Sequence, residues 1–506
     1  MFSRLAAVFT LVTVSLSMAQ EPRLGPLRFR ITLAREAAAS PVSGRLLVFM
    51  GPPAETLPSG WVGNAWVAAR EIESLAPGET VDLVPEEHAY PEPFSRAKPG
   101  AYHFVAFLDR DHSFARTGPD DDDLMSAEVK VDALDPANAA PVALALSQPG
   151  PSRFHPAETD SIQMAEFQSP LLTAFWGRPI TMRASVVLPA SYAASQDRRY
   201  PAVYLIHGFG IDYRYGWNLG PQLLNEMSQG KYAEMVFVFL DGSCPTGHHE
   251  FADSVNNGPW GRALVEEFIP YLERQYRLMA RPSARFLTGH SSGGWSSLWL
   301  QITYPDFFGG TWSTAPDPVD FRDFTGFDAT PGSGQNAYRT SDGKPRNLIR
   351  RQGRDLVSFD ELARKEEVFG DYGGQIASFE WVFSPRGEGG RPMQLFNRQT
   401  GAIDPTVARA WQRYDIRLKL ATSWESLGPK LKGKLHIIVG SEDSFHLEGA
   451  VRLLCDFLKQ KGSDAVCEIV PDRDHGNLYG PYQTYPDGLS VRIGREMAAK
   501  FAAENR

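Results

Sequence analysis

The stretch RFLTGHSSGGWSSLWLQIT, residues 285–303, changes its hydrophobic pattern at the middle. A β-rich apolar run leads in, a helical pattern leads out, and Gly289-His290-Ser291-Ser292-Gly293 joins them. Only Ser291 holds the central place of G-x-S-x-G. A chain that passes from strand to helix this abruptly is built for a parallel sheet crossed by helices. Small residues at 289 and 293 let the two elements approach. The turn is predicted to lift the Ser291 hydroxyl above the sheet edge, at the positive end of the new helix.

Other segments share this grammar. AVYLIHG, MVFVFLDG, GTWST and LHIIVG are short, nearly continuous apolar runs that fit strands buried on both faces. ITMRASVVLP alternates as a longer strand. Within GRALVEEFIPYLERQYR, Leu264, Phe268 and Leu272 recur at helical spacing, with Val265 and Ile269 beside them. The expected architecture over residues 161–506 is an α/β sheet with right-handed crossovers. Residues 315–434 are too many for a simple crossover and read as an insertion after the sixth central strand, placed where a lid would sit.

The first part of the chain differs. Residues 20–146 contain short β-rich runs such as RFRITLA, RLLVFMG and AYHFVAFLD, punctuated by Gly, Pro and Asp, and read as a small all-β sandwich domain. In AYHFVAFLD, Tyr102, Phe104, Ala106 and Leu108 are predicted to share one buried face. The acidic run Asp120–Asp123 reads as a solvated turn and not as a calcium loop. Residues 147–160, rich in proline, form a linker. Residues 1–19 carry Arg4, an apolar run and Ser17-Met18-Ala19, the pattern of a cleaved export signal, so the mature chain is expected to be secreted or periplasmic.

Composition excludes some classes. A net charge of −9 without a basic block argues against nucleic acid. No later apolar run is long enough for a transmembrane helix. The three cysteines, Cys244, Cys455 and Cys467, show no metal spacing, and a Cys455–Cys467 bridge is geometrically open.

A serine hydroxyl needs a base, and the base needs an orienting acid. GSEDSF supplies Glu442 and Asp443 after LHIIVG; PDRDHGN supplies His475 after VCEIV. The order Ser291, Asp443, His475 places each at the end of a predicted strand. Asp443 is favoured over Glu442, which follows the strand end too closely. An oxyanion needs two donors. The Ser292 N–H is one; Phe209 of His207-Gly208-Phe209-Gly210 is the expected second, with Gly208 and Gly210 as alternatives. No metal or cofactor is required.

Together HGFG, the helix ALVEEFIPYLERQYR, the elbow with its GGW, GSEDSF and DHGN resemble the esterase D-like branch of the α/β-hydrolases, from about Met164 to the C-terminus. That branch includes enterochelin and feruloyl esterases, S-formylglutathione hydrolases and mycolyltransferases. The resemblance implies an α/β-hydrolase domain and hydrolysis of small-molecule or carbohydrate esters through an acyl-enzyme. It also implies a pocket lined by residues of HGFG and GHHEFADSVNNGPWG, namely His207, His248, His249 and Asn257. Two other outcomes fit the sequence. One is acyl transfer by the same triad. The other is a non-catalytic carbohydrate- or surface-binding protein, with Trp61 and Trp66 as stacking platforms.

Overall fold

Runs buried on both faces become the central strands. The computed structural model describes residues 24–58 and 63–505; the predicted export signal and Trp61 lie outside them. Eight strands make the main sheet: β1 (Ile162–Gln168), β2 (Thr181–Val187), β3 (Ala202–Ile206), β4 (Val236–Leu240), β5 (Arg285–His290), β6 (Gly310–Thr314), β7 (Leu435–Gly440) and β8 (Val466–Val470). Their order is β1-β2-β4-β3-β5-β6-β7-β8. β2 is antiparallel to β1 and β4, and the rest pair parallel.

Alternate strand residues feed two apolar layers. Val203, Phe237 and Phe286 pack with α1 (Tyr215–Ser228) and with Ile493 and Met497 further on. Tyr204, Val238 and Leu287 face the helical run 260–275, where Leu264, Phe268 and Leu272 are buried at the predicted spacing. That run opens into a π turn at Ala263–Phe268. Pro270 follows it and has no N–H to continue the α ladder. α2 (Ser292–Thr303) leaves the sheet directly after β5.

Nine strands between Phe29 and Pro149 form one hydrogen-bonded network that folds over on itself. Phe29 and Phe104 meet edge to face inside it, 5.3 Å apart. Trp66 packs edge-on against Phe94 at 5.8 Å, as a core aromatic. Phe104, Ala106 and Leu108 join this core as the alternation predicts. The opposite face is also buried, because Phe107 enters a second cluster with Leu47, Phe49, Phe114, Val368 and Phe369. The last two belong to α3 (Phe359–Phe369), so a helix of the 315–434 segment covers the face expected to meet water. Asp120 and Asp123, expected in a solvated turn, are 1% exposed and hold the backbone N–H groups of Asp122 and Asp120.

Residues 315–434 carry a hairpin, Asn347–Arg351 with Arg354–Ser358, then α3 and α4 (Gln375–Phe383). Phe321, Phe324, Phe379, Phe383 and Trp411 form an aromatic knot at its centre. α5 (Leu447–Gln460) lies between β7 and β8, and Cys455 bridges to Cys467 on β8. α6 (Leu489–Glu504) closes the fold. Among the described residues no helix is long and apolar enough to cross a membrane.

Candidate active site

The sheet edge delivers Ser291 through a strained turn. β5 ends at His290, Ser291 sits at φ 60° and ψ −126°, and α2 begins at Ser292. Positive φ is costly for a residue with a Cβ and persists where the surroundings enforce it. They do so here. A Cβ on Gly289 would lie 2.2 Å from Gly293 O, and one on Gly293 would lie 2.0 Å from Ile206 O. Ser292 is fully buried and donates its hydroxyl to Asp317 Oδ2 at 2.6 Å. The Ser291 hydroxyl turns toward the same carboxyl, 3.4 Å from Oδ1, and not toward His475. Such contacts are often long in unliganded sites and tighten with substrate.

His475 Nδ1 lies 2.8 Å from Asp443 Oδ2. Burial alone would raise the Asp443 carboxyl, but the His475 charge and hydrogen bond outweigh it and hold it below its ordinary value. The same pair raises His475 against the downward pull of burial. Glu442 points elsewhere: its side chain is half exposed, 3.9 Å from Arg350. Arg350, on the inserted hairpin, donates to Asp443 O at 2.9 Å and to Glu448 at 2.6 Å, and so clamps the acid loop. The ring of His290 lies 4.3 Å from that of His475, and Phe445 stands edge-on at 4.9 Å. Burial, followed by the His475 charge, pushes His290 down to about 3, so it packs as a neutral ring.

Ser291, His475 and the 207–210 loop line one cavity of about 970 Å³. A Cβ on Gly208 would be 3.3 Å from Ser291 Cβ, so this loop lies directly against the serine. Phe209 lines the cavity too. His207 also reaches it, yet its ring is engaged: Nε2 accepts from Gly242 N at 2.8 Å. A second, smaller pocket of about 50 Å³ also reaches Ser291, walled by Phe324, Phe359, Phe379 and Trp411.

His248, His249 and Asn257 line neither cavity and lie buried behind the site. His248 Nε2 donates to His207 O, and its Nδ1 accepts from Glu250 N. His249 stacks on Trp260 at 3.8 Å. Asn257 accepts from Thr246 at 2.8 Å. His248 Nδ1 is 3.2 Å from Glu250 Oε1, but this is not an ion pair. Burial pushes His248 down to about 3 and Glu250 up to about 8, so both are neutral. Asp109, Asp111 and Asp123 bring carboxylate oxygens together. The buried pair spend theirs on the backbone N–H groups of Ser113, Phe114, Arg110 and Asp120.

A family model described as "Putative esterase" matches residues 178–445, more than half of the chain. The chain belongs to this esterase family. Esterase MT1326 of Mycobacterium tuberculosis (strain CDC 1551 / Oshkosh) is 30% identical to it over 144 residues, 28% of this chain and 30% of that protein. The Endo-1,4-beta-xylanase/feruloyl esterase of Xylanibacter ruminicola is 25% identical over 133 residues, 25% of this chain and 18% of that protein. Both matches thus span less than a third of the relative's length. A solved ferulic acid esterase aligns over 67% of this chain and 98% of its own, at 13% identity and a TM-score of 0.43.

Several site residues of this esterase family member escape the sequence reading. Asp317 follows β6, and the rule that finds acids at strand ends would have flagged it. Arg350 and Glu250 carry no local signal, because their partners lie far away in sequence.

Proposed function

We propose that this chain is a serine hydrolase of carboxylic esters, working through an acyl-enzyme. One observation carries the reading: a serine on a strained elbow shares a cavity with a histidine held by a buried carboxylate at 2.8 Å. Ser291 turns from Asp317 to His475 and attacks the ester carbonyl, and His475 takes its proton. Asp443 fixes the imidazole tautomer and offsets the imidazolium charge. The backbone N–H groups of Phe209 and Ser292 hold the oxyanion. His475 then protonates the leaving alcohol, and a water activated by His475 releases the acid.

Two cavities that both reach Ser291 suit the two halves of an ester. We read residues 20–146 as a β-sandwich domain, 161–506 as the α/β-hydrolase domain and 315–434 as its lid. Residues 1–19 are read as an export signal, and the Cys455–Cys467 bridge suits an oxidising compartment. Ser291→Ala should lower p-nitrophenyl acetate hydrolysis by about 10⁴-fold or more and abolish labelling by a fluorophosphonate, with the fold intact by circular dichroism. Turnover at the wild-type rate in that variant overturns the assignment.

A further inference from the structure

We infer that Arg116, carried by the N-terminal β unit, recognises a negatively charged group on the substrate. The inference rests on the esterase reading of Ser291. Arg116 belongs to the single helical turn Phe114–Thr117 between two N-terminal strands. It lines the cavity of Ser291 and His475. Its backbone touches the loop beside the serine: a Cβ on Gly210 would lie 3.1 Å from Arg116 O.

The guanidinium is what needs explaining. Its Nε is buried and has no hydrogen-bond partner, and among the described residues Arg116 makes no ion pair. Nearby arginines behave differently: Arg214 pairs with Asp212, and Arg153 pairs with Asp120. The chain has 60 acidic against 51 basic side chains, so carboxylates are not scarce. Leaving a buried donor unmade is costly, and a guanidinium fork matches a carboxylate or phosphate through paired N–H bonds. The remaining wall of the cavity is largely apolar, with Val203, Leu219, Leu223, Phe237, Ile493 and Met497. The ligand that completes this site has an apolar body and an anionic end, and the N-terminal unit supplies the residue that reads the charge.

Three esters test this in the full chain. p-Nitrophenyl butyrate is neutral, mono-p-nitrophenyl glutarate carries a carboxylate on the acyl side, and 4-acetoxybenzoate carries one on the alcohol side. The quantity read is kcat/KM for each anionic ester divided by that for the neutral ester. In Arg116→Ala this ratio should fall about 10- to 100-fold for at least one anionic ester, the scale of one charge-assisted hydrogen bond. Arg116→Lys should restore part of it. The wild-type preference should also shrink on raising salt to about 0.5 M. Dividing by the neutral ester cancels any general damage to the fold. Ratios within about twofold of wild type for both anionic esters overturn the role of Arg116. A wild-type chain inert to the neutral ester and to fluorophosphonate overturns the esterase reading, and this inference with it.

Discussion

Replacing Asp443 by Asn changes one atom type at the centre of the site. The carboxylate oxygen 2.8 Å from His475 Nδ1 accepts a hydrogen bond from the N–H of that nitrogen. An amide NH₂ in its place donates, so Nδ1 must become the acceptor and the ring proton moves to Nε2. The imidazole then has no lone pair for the serine proton. Inverting the tautomer and losing the charge opposite the imidazolium should together cost about 10⁴-fold in kcat, or about 5 kcal/mol in the barrier. Packing should survive, since Oδ1 still accepts from Phe445 N at 2.9 Å. The acid limb of the pH profile should move down, because the Asp443 charge is what lifts His475 above 6.5. The assay is p-nitrophenyl acetate turnover across pH, with Glu442→Gln as the control, expected within about twofold of wild type. Asp443→Asn within tenfold of wild type would refute the reasoning, as would Glu442→Gln falling equally far.

Three further outcomes follow from the geometry. Gly293→Ala places a Cβ 2.0 Å from Ile206 O and should destabilise by more than about 3 kcal/mol, seen as loss of soluble protein or a large drop in Tm. Burial, reinforced by Glu250, raises Asp317 from 3.8 to about 7, so the fold prefers it protonated. Its contribution is fully present below pH 3.8 and is lost as pH rises through 7. Asp317→Asn should therefore raise Tm at pH 8.5 and leave it nearly unchanged at pH 4, with a gain of at most about 4 kcal/mol. Unreduced, denatured protein should titrate one thiol, Cys244, and reduction should cost about 3 kcal/mol of stability for a loop of this length.

Local pattern carries far into this molecule. The strand–turn–helix around Ser291 is written in adjacent residues; Gly289 is demanded by Gly293 O of the same turn, and Gly293 by Ile206 O at the end of β3. Chain order, with the distance from the strand end that favours Asp443 over Glu442, selects Asp443 and His475, which meet at 2.8 Å. What escapes is long-range. Nothing near Phe107 announces that Val368 and Phe369 will cover its face. Helix α4 buries residues all around, from Ile376 to Phe383, so it shows no amphipathic period. The histidine pair 248–249 looks like a ligand set, yet each ring is spent on backbone groups.

Among the described residues strand β8 has a neighbour on one side only, and its first two residues are exposed. Five residues beyond its end comes His475. The bond from Cys467 to Cys455 moors this outer strand to α5, whose buried face is set in the main core. The strand that leads into the loop of His475 is thereby held by a covalent tie as well as by its ladder to β7.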